Sequence, residues 1–155
     1  MRDINLNQVI EYINAQGPET RIYLGADSAR INKNSTWYAE YTVAVVVHIN
    51  GCNGCKIFGE VSRERDFDKR INRPALRLMT EVYKVSDMYQ RLNPHIAQDI
   101  EVHLDINPSD KYASSAVIQQ AIGYIKGTCN TTPKVKPDAW AASSAADNLT
   151  SILAA

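Results

Sequence analysis

Few cysteines, no net charge and no long apolar run mark this chain, and each shortage excludes a class of protein. Three of the 155 residues are Cys, an odd count that without a secretory context does not build a disulfide framework. Lys plus Arg number 17 and Asp plus Glu also 17, for a formal net charge of zero. Bulk charge therefore does not indicate a strongly basic nucleic-acid binder. A nuclease that touches its substrate briefly, through metal ions and local lysines, needs no such excess. The longest apolar run, Val43 to Val47, is far too short to span a bilayer. The opening Met1-Arg2-Asp3-Ile4-Asn5 lacks the apolar core of a signal peptide. These absences predict a cytoplasmic protein with no membrane partner. No repeat, low-complexity tract or dividing linker is visible. What is present, 45% hydrophobic and 22% charged residues, suits one domain over residues 1–155 with a single packed core.

Hydrophobic spacing supplies the elements. Leu6, Val9, Ile10 and Ile13 recur at helical spacing until Gly17-Pro18. Arg21 to Ser28 reads as a strand, with Ile22, Leu24 and Ala26 on one side and Tyr23, Gly25 and Asp27 on the other. Arg30 to Thr36 reads as a loop, and Trp37 to Asn50, rich in β-branched and aromatic residues, as a long strand. Asn50-Gly51 is hairpin chemistry, returning the chain as a third strand from Cys55 to Ser62. Arg63 to Arg70 alternates acids (Glu64, Asp66, Asp68) with bases and reads as a solvated loop. A helix with Leu78, Val82, Val85 and Leu92 on its apolar stripe follows from about Pro74 to Leu92. Ile100 to Ile106 is a fourth strand. Asn107-Pro108 begins a helix that ends at Gly127, Lys134 to Lys136 is a fifth strand, and Pro137-Asp138 opens a last helix. The predicted architecture is α/β, a five-stranded mixed sheet made of an antiparallel three-strand meander plus parallel crossovers, with helices on its faces.

Four acids interrupt this pattern. Asp27 and Asp105 each close an apolar strand, and Glu81 and Asp147 each interrupt the inward face of a helix. A carboxylate against apolar surface is costly unless something positive meets it. Four such placements in strand, helix, strand, helix order point to divalent cations and phosphate chemistry. If the fourth strand lies parallel beside the first, Asp27 and Asp105 become neighbours at a strand-end edge of the kind that collects ligands.

The residues around these acids carry a resemblance. Tyr23-Leu24-Gly25-Ala26-Asp27-Ser28, His103-Leu104-Asp105-Ile106, and Lys136-Pro137-Asp138-Ala139-Trp140-Ala141-Ala142-Ser143 followed by Ala145-Ala146-Asp147 resemble the first-strand, fourth-strand and C-terminal motifs of the YkuK-type ribonuclease H-like family. The resemblance spans essentially the whole chain. It implies a ribonuclease H-like fold and a site at these acids more firmly than any substrate. Asn107-Pro108 after Asp105, and Thr128-Cys129 after Gly127, depart from the glycines such a pattern would carry.

The chemistry expected of Asp27, Glu81, Asp105 and Asp147 is phosphodiester hydrolysis with two Mg²⁺ or Mn²⁺ ions, hard cations that prefer oxygen ligands. Asp27 would bridge the ions, Glu81 and Asp105 would share one, and Asp147 would hold the other. Each has a simpler alternative. Asp27 caps a turn, Glu81 is an exposed helix residue with Glu60 as its substitute, and Asp105 caps the following helix. Ser28 flanks the first acid with a small hydroxyl. His103, on the strand face of Asp105 and Glu101, either shuttles protons near the metals or is a hydrogen-bonded structural histidine. Arg30, Lys33, Lys111 and Lys136, with Lys134, are the candidate phosphate contacts, and Trp37 and Tyr38 candidate base-stacking residues or ordinary strand packing. Cys52 and Cys55 lack the second ligand pair of a zinc site and the helix start of a redox pair. The predicted activity is a nuclease acting on RNA, RNA/DNA hybrid or structured DNA. The competing class is a non-catalytic nucleic-acid-binding module, and a third is an enzyme acting on a smaller phosphoester.

Overall fold

A computed structural model of the chain describes residues 2–51, 54–67, 75–106, 115–141 and 146. The elements in order are α1 (Leu6–Asn14), β1 (Arg21–Lys33), β2 (Thr36–His48), β3 (Cys55–Arg65), α2 (Ala75–Leu92), β4 (Ile100–Val102) and α3 (Ser115–Cys129). Asn5 opens α1 by accepting the Gln8 N–H on its side chain at 3.2 Å, satisfying one of the free first-turn donors.

Among the described residues the sheet has four strands, ordered β3-β2-β1-β4, not the five expected. β1, β2 and β3 pair antiparallel, and β4 runs parallel to β1. The segment predicted as the fifth strand does lie beside the fourth: Lys134 N–H donates to Val102 O at 2.8 Å and Lys136 N–H to Ile106 O at 2.9 Å. Only a single parallel bridge, His103 to Lys134, results. Pro133 and Pro137 flank the segment and offer no N–H to lengthen it.

Other boundaries moved for identifiable reasons. The predicted loop at Arg30 to Thr36 is a two-residue hairpin turn. Asn34 and Ser35 take positive φ values of 52° and 64°, and Lys33 already pairs with Thr36. Such turns match the twist of the flanking strands, and both strands therefore run on into the predicted loop. β4 stops early because Ile106 N–H closes back on Leu104 O at 2.8 Å, a tight turn with Asp105 at its apex. Helix α3 runs past Gly127 and ends at Asn130, whose φ is 53°. An asparagine in the left-handed region stops a helix as a glycine would. The start expected at Asn107-Pro108, the Cys52 half of the cysteine pair and most of the last helix lie outside the described residues. No described helix is long and apolar enough to cross a membrane.

Alternation along the strands makes two unequal faces. Ile22, Leu24, Ala26, Val43, Val45, Val47, Val102 and Leu104 face the main core, where α1, α2 and α3 bring Val9, Ile13, Val82, Met88 and Ile125 against them. Truncating a fully buried residue such as Leu24 to alanine removes about 2–5 kcal/mol. The opposite face carries Tyr23, Ala44 and Val46 and is covered by Ala141 and Ala146. Neither acid closes its strand as expected: Asp27 sits in the middle of β1, which runs on to Lys33, and Asp105 lies three residues beyond the end of β4.

Candidate active site

Strand register sets β4 beside the first part of β1. Tyr23 pairs with Glu101 and Leu24 with Val102 in parallel β1 and β4. His103 N–H extends the pairing by donating to Leu24 O at 2.8 Å. Asp105 follows in the turn just beyond β4, and both Asp105 and Asp27 act electrostatically on Glu81. Helix α2 supplies the third acid. Ser28, on the core side of β1, donates its hydroxyl to Glu81 Oε1 at 2.6 Å. Burial pushes the Glu81 carboxyl up to about 8, with Asp27 and Asp105 raising it further, while the Ser28 hydrogen bond and Arg77 act to lower it. Asp27 and Asp105 are thus close enough to be felt as like charges. Lys136 Nζ meets Asp105 Oδ1 at 2.7 Å. Asp147, the fourth predicted acid, lies outside the described residues.

The donor set of Asp27, Glu81 and Asp105 with the Ser28 hydroxyl is all oxygen and fits a hard divalent cation. Among the described residues, no three His, Cys, Asp or Glu side chains converge tightly enough to hold an ion. Ser28 holds Glu81 and Lys136 holds Asp105, so the carboxyls are near one another without pointing at a common centre.

Several expected partners are elsewhere. Glu60, the predicted substitute for Glu81, pairs with Arg91 at 2.7 Å and is not part of the cluster. Its strand position faces α2, whose Arg91 is further held by Asp87 at 2.9 Å. His103 is fully buried, at 0% exposure. Its Nδ1 accepts the Ala141 N–H at 3.0 Å and so carries no proton, leaving Nε2–H to donate to Glu101 Oε1 at 2.9 Å. Burial first of all lowers its pKa, keeping the ring neutral. Tyr23 and Trp140 enclose it, each ring centroid 5.3 Å away. The geometry makes His103 a structural link between β4 and the last helix instead of a proton shuttle.

Asp66 corrects the solvated-loop reading. β3 continues to Arg65, and the Asp66 side chain is 1% exposed, with Oδ2 at 2.7 Å from Arg30 Nε and 3.0 Å from Arg77. Arg30 also lies over the Trp37 ring, 4.3 Å from its centroid. Arg30 is therefore engaged inside the fold before any substrate arrives. Lys33 is exposed near the hairpin turn, Lys136 is engaged by Asp105, and Lys111 lies outside the described residues. Sequence reading missed Arg77. Its signal was present: Arg77 precedes Glu81 by one helical turn and therefore shares its face.

Comparison with known proteins agrees with this architecture. The sequence pattern of the ribonuclease H-like family matches residues 5–151. The chain belongs to the ribonuclease H-like family. No curated protein matches it. Among solved structures, a crystal structure of NurA is similar at 8% identity, over 66% of this chain and 25% of that one, with a TM-score of 0.30. The chain spans about a quarter of the length of that NurA chain, and so distant a likeness carries no argument. Membership gives the fold, while function rests on the site itself.

Proposed function

We propose that this ribonuclease H-like chain is a divalent-metal-dependent nuclease that hydrolyses phosphodiester bonds in RNA, RNA/DNA hybrid or structured DNA. The observation that supports it is the company of Glu81: a buried carboxyl set beside Asp27 and Asp105 and pushed up to about 8. A fold gains nothing in stability from packing like charges together, and such perturbed groups concentrate at functional sites. Asp27, Glu81 and Asp105 are the proposed ligands for Mg²⁺ or Mn²⁺, with Asp147 as the fourth from its place in the sequence. Bound ions would supply Lewis-acid polarisation of a phosphate oxygen and a water of lowered pKa. Ser28 orients Glu81. Lys136 offsets the charge on Asp105 and, on leaving it, offers an ammonium to a backbone phosphate. Lys33 and the 43% exposed Trp37 extend the contact along the hairpin, where an indole can stack on an unpaired base.

The competing reading, a non-catalytic nucleic-acid-binding module of the same fold, draws on Lys136, which already satisfies Asp105 as a fixed counter-ion would. End-labelled single-stranded RNA, hybrid, duplex and branched DNA incubated with the chain and Mn²⁺ separate the two. The nuclease reading expects cleavage of at least one substrate, lost with EDTA and in Asp27→Asn. Retention of a substrate without cleavage supports the module. A smaller phosphoester becomes the better substrate class if Mn²⁺ binds and none of these polymers is touched.

A further inference from the structure

The three-strand meander continues well past Asp27, and its two faces treat charge differently there. One face is turned to α2. On it Ser28 reaches Glu81, and Arg30 reaches the Asp66 carboxylate shared with Arg77. Glu60, Glu64 and Asp66 are each met there by a base from α2, namely Arg91, Lys84 and Arg77. The side chains between these alternate to the opposite face. On that face the row holding Asp27 is followed by Ala29, Glu40 and Arg63, and then by Ile31, Tyr38 and Arg65. Glu40 is held by Arg63 at 2.9 Å. Arg65 lies instead over the ring of Phe67, 5.2 Å from its centroid, which places that ring on the same face. Phe67 is 69% exposed. Lys33, two residues after Ile31, is exposed as well. Among the described residues neither Arg65 nor Lys33 is paired with a carboxylate.

The geometry points to this end of the sheet as a docking surface for single-stranded nucleic acid, with Tyr38 and Phe67 stacking on bases and Arg65 and Lys33 meeting phosphates. It rests on the reading proposed above, in that it names the strand delivered to that site. Exposed rings set beside unpaired cations match the two surfaces that a single strand presents, base faces and phosphates. A duplex offers phosphates but keeps its base faces stacked inside, which leaves the two rings without a partner. Ile31 is four residues from Asp27 along the same face of β1, roughly 14 Å at the rise of a strand. A nucleic-acid strand lying on Tyr38 and Arg65 is therefore within a short reach of that carboxylate. Such a patch is local, and a chain of zero net charge can carry it.

The test follows the fluorescence anisotropy of a labelled single-stranded RNA, and of the corresponding RNA duplex, with the full chain in EDTA. Phe67→Ala removes an exposed ring and leaves the core intact. It is expected to weaken single-strand binding about 10-fold and to leave duplex binding unchanged. Arg65→Gln is expected to flatten the single-strand plot of log affinity against log salt by about 0.7, the change for one lost phosphate contact. An unchanged single-strand affinity in Phe67→Ala, or an unchanged salt slope in Arg65→Gln, overturns the inference, as does a parent that binds no single strand. Equal losses on duplex and single strand overturn it too, because the face then reads backbone alone. Cleavage with Mn²⁺ is followed separately. A parent that binds as expected and cuts nothing overturns the nuclease, and delivery to Asp27 with it, while the docking surface stands. Cleavage by a Phe67→Ala chain that binds the strand as the parent does overturns the surface and leaves the nuclease.

Discussion

Asp66 and Glu81 are both drawn into the interior near the same stretch of α2, and their surroundings are opposite. Asp66 is met by two guanidiniums, Arg30 and Arg77. Glu81 is met by a hydroxyl and by two further acids, with Arg77 a weaker influence. An acid buried to hold a fold together is given opposite charge, because a buried charge stripped of its partner is strongly destabilising. An acid kept beside other acids is held against its own electrostatic preference. Under the proposed function, the difference separates a structural carboxylate from one whose partner comes from solution.

The largest effect is expected from breaking the compensated side. Asp66→Ala leaves Arg77 buried without its carboxylate and should lower unfolding stability by about 3–5 kcal/mol, read from urea melts. On the uncompensated side, pH sharpens the contrast. The Glu81 carboxyl rises from an ordinary 4.5 to about 8, so the folded state holds its proton more tightly than the unfolded chain does. Its stabilising contribution is fully present below pH 4.5 and is lost as pH rises to about 8. The slope is at most about 1.4 kcal/mol per pH unit. Glu81→Gln in the metal-free chain should remove that fall and be the more stable form above pH 8; a parallel pH profile would show that Glu81 does not titrate there. The lowered pKa of His103 acts in the other direction, contributing stability above its ordinary 6.5 that is lost as pH falls. Glu81→Gln should therefore expose a loss of stability on the acid side.

Smaller effects test the rim. Trp37→Ala removes the ring beneath Arg30 and should change stability by about 0.5–1 kcal/mol, while weakening retention of single-stranded nucleic acid in a filter-binding assay. Lys136→Ala removes a half-exposed ion pair and should shift stability by about 1 kcal/mol or less. The same change leaves the acids less neutralised, and Mn²⁺ affinity in calorimetry should rise. A fall would mean that Lys136 helps to build the site.

How much of this was legible beforehand depended on what kind of signal each residue carried. The three-strand meander, the existence of a fourth strand and α2 followed from period-2 and period-3.6 spacing, which reports burial directly, while the parallel place of the fourth strand beside the first followed from the ribonuclease H-like layout. The hairpin at Asn34-Ser35 was hidden because serine seldom takes positive φ, and so the long register of β1 against β2 could not be counted. The segment from Lys134 to Lys136 has a strand's hydrogen bonds over too short a span, cut by two prolines. Asp27, Glu81 and Asp105 stood out in the sequence because carboxylates are out of place in apolar runs. Asp66 did not, because its neighbours in sequence, Arg65 and Phe67, hide that its partners Arg30 and Arg77 arrive from β1 and α2. Alternating charge in sequence says nothing of which charges a fold will bring inside.

The uncompensated cluster is tested most directly by a calorimetric titration of the metal-free chain with Mn²⁺, repeated for Asp27→Asn and Asp105→Asn. Binding at or below millimolar Mn²⁺ in the parent, abolished in both variants, is the expected result. No heat of binding in the parent at millimolar Mn²⁺, or equal binding in all three proteins, would contradict a divalent-ion site at these acids.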